Sequence, residues 1–312
     1  VISLRYHVIS IGAVFLALAV GVLLGSTTLS DSLLSGISGQ QARLGEQVTS
    51  LDAQRAALTA QLGGADRVAT GVGPLAVHGL LADRTVVLVS TANASRSDED
   101  ALRTLLRAAG AQVTGEIQLT DAFTDPNRAD QLRDLVTQLI PAGASLPVAS
   151  DAGTLAGGLL GDVLLLNKNN TPQATADERA AALTGLASVG FVKPVQQLGP
   201  AQSAVVLTGG AQSGEAAGDR ATMLANFATQ LQKAGTGTVL AGTASSATGS
   251  GPVGVVRAVE ADSSALSTVD DVNTPAGRIV TVLALQEQLT GKSGSYGTAG
   301  NATAPTPASP SS

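Results

Sequence analysis

Val8-Ile9-Ser10-Ile11-Gly12-Ala13-Val14-Phe15-Leu16-Ala17-Leu18-Ala19-Val20-Gly21-Val22-Leu23-Leu24-Gly25 is an uncharged apolar run, and its reading decides how the rest of the chain is organised. At ~1.5 Å per helical residue it covers roughly 27 Å, close to the ~30 Å hydrocarbon core of a bilayer, so it reads as a single crossing. Arg5 flanks its amino end, whereas Ser26-Thr27-Thr28 beyond it are uncharged. The positive-inside rule then predicts a cytoplasmic N-terminus and an extracytoplasmic main domain. The rival reading is a cleaved secretory signal. Its small-residue pattern occurs at Ala17-Leu18-Ala19, inside the apolar run, which continues well beyond it. An uncleaved anchor over 1–30 is the expectation. Ala13, Ala17, Gly21 and Gly25 recur at four-residue spacing, which lets two membrane helices approach closely.

A heptad pattern follows the anchor. With Leu34 at position a, the a row is Leu34, Gln41, Val48, Arg55 and Leu62, and the d row is Ile37, Leu44, Leu51, Leu58 and Ala65. The nearly all-aliphatic d row marks a coiled-coil helix over 31–66, with Gln41 and Arg55 lowering stability while setting register. Glycines at 36, 39 and 45 weaken the first turns by about 1 kcal/mol each relative to alanine. One apolar stripe needs a partner, either another copy of the chain or the domain that follows. A homo-oligomer through the coiled coil is the favoured expectation. Gly63-Gly64 and Gly71-Val72-Gly73-Pro74 are read as the helix breaks that introduce the next domain.

From 67 to 290, short β-branched runs alternate with amphipathic helical stretches. That order predicts an α/β domain with a largely parallel sheet. Arg84–Thr91 reads as a buried strand, Ser97–Ala108 as a helix with Leu102, Leu105 and Leu106 on one face, and Gln112–Leu119 as the next strand. Helices are expected over Asn127–Ile140 and Thr175–Ser188, while Leu155–Leu166 is too glycine-rich to assign. A second unit comprises a strand at Ala204–Thr208, a helix at Asp219–Lys233 and a strand at Thr238–Ala241. It parallels the first through duplication or through common α/β chain logic. Thr274 and Pro275 read as the N-cap and first residue of a buried last helix. From Gly291 to Ser312 the composition is Ser, Gly, Ala, Thr and Pro without an apolar stripe, which predicts a disordered tail.

Composition excludes several classes of function. The 312 residues carry a formal charge of −6 and no basic stripe, which opposes nucleic-acid binding. Cysteine is absent, so thiol chemistry and lipoprotein processing are excluded. The histidines are His7, beside the membrane, and His78, at the domain entrance, and neither belongs to a recognisable hydrolase arrangement. Gly209-Gly210 follow a strand but lack the Lys-Ser/Thr pair of a P-loop and the spacing of a dinucleotide fingerprint. No enzymatic activity, cofactor or metal site is expected. The densest polar signature is Ser267-Thr268-Val269-Asp270-Asp271-Val272. Its carboxylates suit a helix N-terminus, a hard cation or a basic partner surface, and Asp270, Asp271 and Arg278 are the expected partner-binding surface.

Several segments together carry a family resemblance. They are Ile2-Ser3-Leu4-Arg5-Tyr6-His7, Ala13 to Ser26, Val206-Leu207-Thr208-Gly209-Gly210-Ala211, Leu240-Ala241-Gly242, Ser267 to Val272, Pro275-Ala276-Gly277-Arg278-Ile279 and Tyr296-Gly297-Thr298. They resemble the actinobacterial MctB family along nearly the whole chain. The resemblance implies copper transport in the mycobacterial outer membrane and cell envelope. In the cell-separation context, where the label SteB is used, it implies control of peptidoglycan hydrolases, making a cell-wall hydrolase an expected partner. The residues sit awkwardly with direct copper handling: there is no cysteine, one methionine, Met223, and two histidines far apart in sequence. Helices between the strands and six aromatic residues in total also oppose an outer-membrane barrel.

Overall fold

The computed structural model describes residues 4–195, 198–259 and 265–308, except for the side chains of 26–39 and 42. It divides into two units, Val1–Ala65 and Asp66–Ser312. Helix α1 (Leu4–Val77) supplies the described part of the first unit and opens the second. Leu4–Gly25 is long and apolar enough to cross a membrane, with a mean hydropathy of 2.6, and none of it is buried. Further along, Leu44, Val48, Leu51, Leu58 and Leu62 are all more than half exposed, so the aliphatic heptad positions form an open stripe. The heptad side chains of Leu34 and Ile37, and the glycines at 36 and 39, lie outside the described set.

The expected breaks at Gly63-Gly64 and Gly71–Pro74 are corrected, because α1 runs through Pro74 to Val77. Proline in a helix interior costs ~3 kcal/mol or more. Here the end of the helix is held by tertiary burial: Val77 and Leu81 are fully buried in the core of the second unit. The chain then turns at Gly79 (φ 75°) and Asp83 (φ 60°) into the sheet.

The second unit, the head, contains β1 (Thr85–Ser90), α2 (Arg96–Ala108), β2 (Gln112–Gln118), α3 (Ala129–Gln138), α4 (Ala152–Leu164) and α5 (Ala176–Ser188). It continues with β3 (Ser203–Leu207), α6 (Ala217–Ala234), β4 (Gly237–Ala241), α7 (Pro252–Ala258), β5 (Ser267–Val269), α8 (Pro275–Gln288) and β6 (Ser295–Tyr296). The six strands lie in the order β2-β1-β3-β4-β5-β6, and every pair is parallel. Period-2 alternation divides the core. Val86 and Leu88 face α2 and α8 with Val205, Val239 and Val282, whereas Val87 and Val89 face α4 and α6 with Val206, Leu240 and Phe227. Local signals set the helix starts: Ser95 caps α2, Thr175 and Glu178 form a capping box on α5, and Thr274 caps α8 with Pro275 just inside.

The glycine-rich stretch with no assignment from sequence is α4. Its glycines at 153, 157 and 161 make a four-residue stripe against α6, and a Cβ on Gly157 would stand only 2.7 Å from the Phe227 carbonyl oxygen. Low helix propensity is offset by close packing that no larger residue permits. The expected disordered tail is also corrected. Thr268 and Val269 of β5 pair with Ser295 and Tyr296 of β6, Tyr296 is buried, and Thr303 N–H donates to the Ser295 carbonyl at 2.8 Å. Backbone hydrogen bonds and one aromatic anchor hold this segment, and neither produces an apolar stripe in the sequence. Residues 309–312 of that tail lie outside the described set.

Candidate functional site

A parallel α/β sheet offers its binding crevice at the carboxyl edge, where strand order reverses. Here that point falls between β1, whose helix α2 covers one face, and β3, whose helix α6 covers the other. The chain itself fills it. Asn93 Oδ1 accepts from Thr91 Oγ1 at 2.6 Å and from the Gly209 N–H at 3.3 Å, and a Cβ on Gly209 would collide with the Asn93 carbonyl. The Thr243 N–H donates to the Gly209 carbonyl at 3.2 Å. Gly209 therefore lets two loops close on each other, and its amide is already taken.

At the end of β5, the expected partner surface is corrected for two of its three residues. Asp270 is fully buried and pairs with Arg257 at 2.6 Å, the two side chains being 0% and 2% exposed. Asp270 Oδ1 also accepts from the N–H groups of Thr298 at 2.8 Å and Ala299 at 3.2 Å. Arg257 donates through Nε to Thr268 Oγ1 at 2.9 Å, through Nη1 to Asn301 Oδ1 at 2.9 Å and through Nη2 to the Tyr296 carbonyl at 2.7 Å. This cluster fastens the carboxy-terminal segment to the sheet, and its carboxylate is sealed from solvent. Asp271 is also buried. Desolvation and the neighbouring Asp270 raise its carboxyl above the ordinary range, and its Oδ1 has no hydrogen-bond partner. Arg278 alone lies near the surface, donating to Asp98 Oδ1 at 3.1 Å and to the Val272 carbonyl at 3.2 Å. Sequence reasoning missed Arg257. It is 13 residues from Asp270, in the seven-residue helix α7, whose main sequence signal is Pro252 at its start.

A second concentration of charge lines a groove of about 320 Å³ beside β2, formed by Arg96, Glu99, Asp100, Arg103, Glu116 and Lys193. Arg103 forms an ion pair with Glu116 and donates to Asp100 Oδ1 at 2.7 Å. Burial, reinforced by Glu116, raises the Glu99 carboxyl. The soft ligands are not brought together. His78 is exposed just beyond α1, whereas Met223 is buried on α6 against α4. Among the described residues, no group of three or more His, Cys, Asp or Glu side chains could hold a metal ion. In the apolar part of α1, a Cβ added to Gly21 or Gly25 would meet nothing within 4 Å beyond the helix itself.

Residues 1–307 match the family described as "Copper transport outer membrane protein, MctB". The protein named Copper transporter MctB in Mycobacterium tuberculosis is 40% identical over 304 residues, covering 95% of this chain and 96% of that protein. Its namesake in Mycobacterium leprae is 38% identical over 311 residues, covering 97% and 98%. This likeness extends from the apolar amino-terminal helix through the parallel sheet to its last strand, and the chain therefore belongs to the MctB family.

Proposed function

We propose that this protein is a non-enzymatic, membrane-anchored component of envelope copper homeostasis. Leu4–Gly25 spans the cytoplasmic membrane with the N-terminus inside and the head outside. The observation that carries this reading is the near full-length likeness to proteins named copper transporters. Copper is then cargo of an assembly and not a ligand of a dedicated site in the head, consistent with the scattered positions of His78 and Met223. The test compares copper accumulation in cells with and without the protein. Equal copper content across a range of external copper would overturn the reading.

A second reading, an envelope scaffold that recruits or regulates peptidoglycan hydrolases during cell separation, is favoured by the open stripe of Leu44, Val48, Leu51, Leu58 and Leu62 on α1. An isolated helix with an exposed aliphatic seam is stable only when the seam is covered. In both readings two or more copies associate through this coiled coil, with Ala13, Ala17, Gly21 and Gly25 supporting close approach in the membrane. Because the chain has no cysteine, Leu58→Cys reports self-association cleanly: oxidised membranes should show a covalent dimer. Absence of that dimer, with Leu51→Cys equally silent, would leave the seam to a different partner. Chained cells with normal copper content on loss of the protein would favour the scaffold over copper homeostasis.

A further inference from the structure

β2 is irregular where it pairs with β1. Its register against β1 runs Val86↔Val113 and then Val87↔Gly115, so Thr114 is an extra residue in a β-bulge. Bulges re-aim a side chain. Here the Thr114 hydroxyl is buried with no hydrogen-bond partner, while its carbonyl accepts from the Gly199 N–H at 3.1 Å.

Thr114 borders a groove of about 580 Å³ whose walls include Arg179, Leu183, Thr184 and Leu198. Arg179 is only 8% exposed. Its Nε donates to the Val163 carbonyl at 2.9 Å, and its Nη2 to the Ala174 carbonyl at 3.3 Å. Val163 lies in the last turn of α4, so the cation also sits at the negative end of that helix. Among the described ion pairs, none includes Arg179. The nearby Glu178 is spent on the α5 capping box and on the Ala142 N–H. A guanidinium carries five N–H donors. With two engaged, three remain, in a groove that the unmatched Thr114 hydroxyl also borders.

We propose that this groove binds a small organic monoanion, a carboxylate with a short apolar body, whose charged end is received by Arg179 and Thr114 and whose body lies on Leu183 and Leu198. One positive charge and about four free donors suit a carboxylate better than a dianionic phosphate, which usually collects more donors. The apolar walls select for a hydrocarbon body, as small-molecule sites generally do.

The test uses the full-length protein in detergent micelles and ¹⁹F NMR with three probes: 4-fluorobenzoate, the neutral 4-fluorobenzamide and 4-fluorophenyl phosphate. Benzoate should bind in the millimolar range or tighter, with the amide about tenfold weaker or more. Thr114→Val should weaken benzoate binding about threefold to tenfold. Arg179→Met should abolish binding. Ala180→Phe, which fills the groove from an exposed position on α5, should also abolish it while leaving the hydrogen bonds of Arg179 in place, so the test survives if Arg179→Met fails to fold. Equal binding of amide and benzoate, no benzoate binding to folded wild type, or unchanged binding in Thr114→Val and Ala180→Phe would overturn the site. Tighter binding of the phosphate than of benzoate would overturn the carboxylate assignment.

Discussion

Arg257 and Arg179 are both buried in the head, yet they meet opposite environments. Arg257 places four of its N–H donors on Asp270, Thr268, Asn301 and the Tyr296 carbonyl, and its charge is matched by a carboxylate that is itself sealed from water. Arg179 meets two backbone carbonyls and no carboxylate among the described ion pairs. The first arginine closes the sheet edge and is used up in doing so. The second completes the end of α4 and keeps donors in reserve. Burial of a charge does not identify a functional residue; the balance of donors and acceptors around it does.

Breaking the matched pair should give the largest effect. Asp270→Ala leaves a buried, uncompensated guanidinium and should cost about 3–5 kcal/mol. Urea unfolding measures this, and a loss below about 1 kcal/mol would erase the contrast. Replacing both partners, Arg257→Met with Asp270→Leu, should recover much of the loss. Arg179→Met removes two hydrogen bonds but also an unmatched charge, so about 1–2 kcal/mol is expected in the same assay. A cost equal to that of Asp270→Ala would mean that Arg179 is as fully committed as Arg257.

Unmatched carboxylates sharpen the comparison through pH. Asp162 on α4 is half-buried, and desolvation raises its pKa from 3.8 to about 6. The folded state thus favours the protonated form. Its stabilising contribution is complete below pH 3.8, the ordinary value of the carboxyl in the unfolded chain, and is lost as pH rises through about 6. Because the group is partly solvated, the change across that window should be only about 1 kcal/mol. Asp162→Asn should therefore flatten the dependence of Tm on pH between about 4 and 7 and raise Tm near pH 7. An unchanged pH profile would place Asp162 in contact with water throughout. The smallest effect belongs to Thr114→Val. Exchanging an unpartnered buried hydroxyl for a methyl should alter stability by less than about 0.5 kcal/mol, and a larger loss would reveal a hydrogen bond made by Thr114.

Much of the fold was legible from pattern. The apolar run, the helix that carries the heptads, the strands around Val86–Val89 and Val205–Leu207, and the Thr274-Pro275 helix start all depend on neighbours one to four residues away, and the structure contains them. The misses share a different cause. Pro74 stays helical because Val77 and Leu81 are buried beyond it, α4 is a helix because its glycines fit against α6, and β6 is ordered because β5 and a buried carboxylate receive it. Of the expected surface residues, Asp270 and Asp271 were noticed for a real reason, their density of polar groups. Asp270 is enclosed by Arg257, Thr298 and Ala299, which no local spacing connects to it.

The sequence by itself determined the class of the protein: an apolar span, a helix with an open aliphatic seam, and an alternating α/β head, because periodicity and hydropathy are local quantities. Only the tertiary structure decided which charges have partners, which loops close the switch point and which glycines are contacts. Those outcomes depend on atoms brought within a few ångströms from positions tens of residues apart.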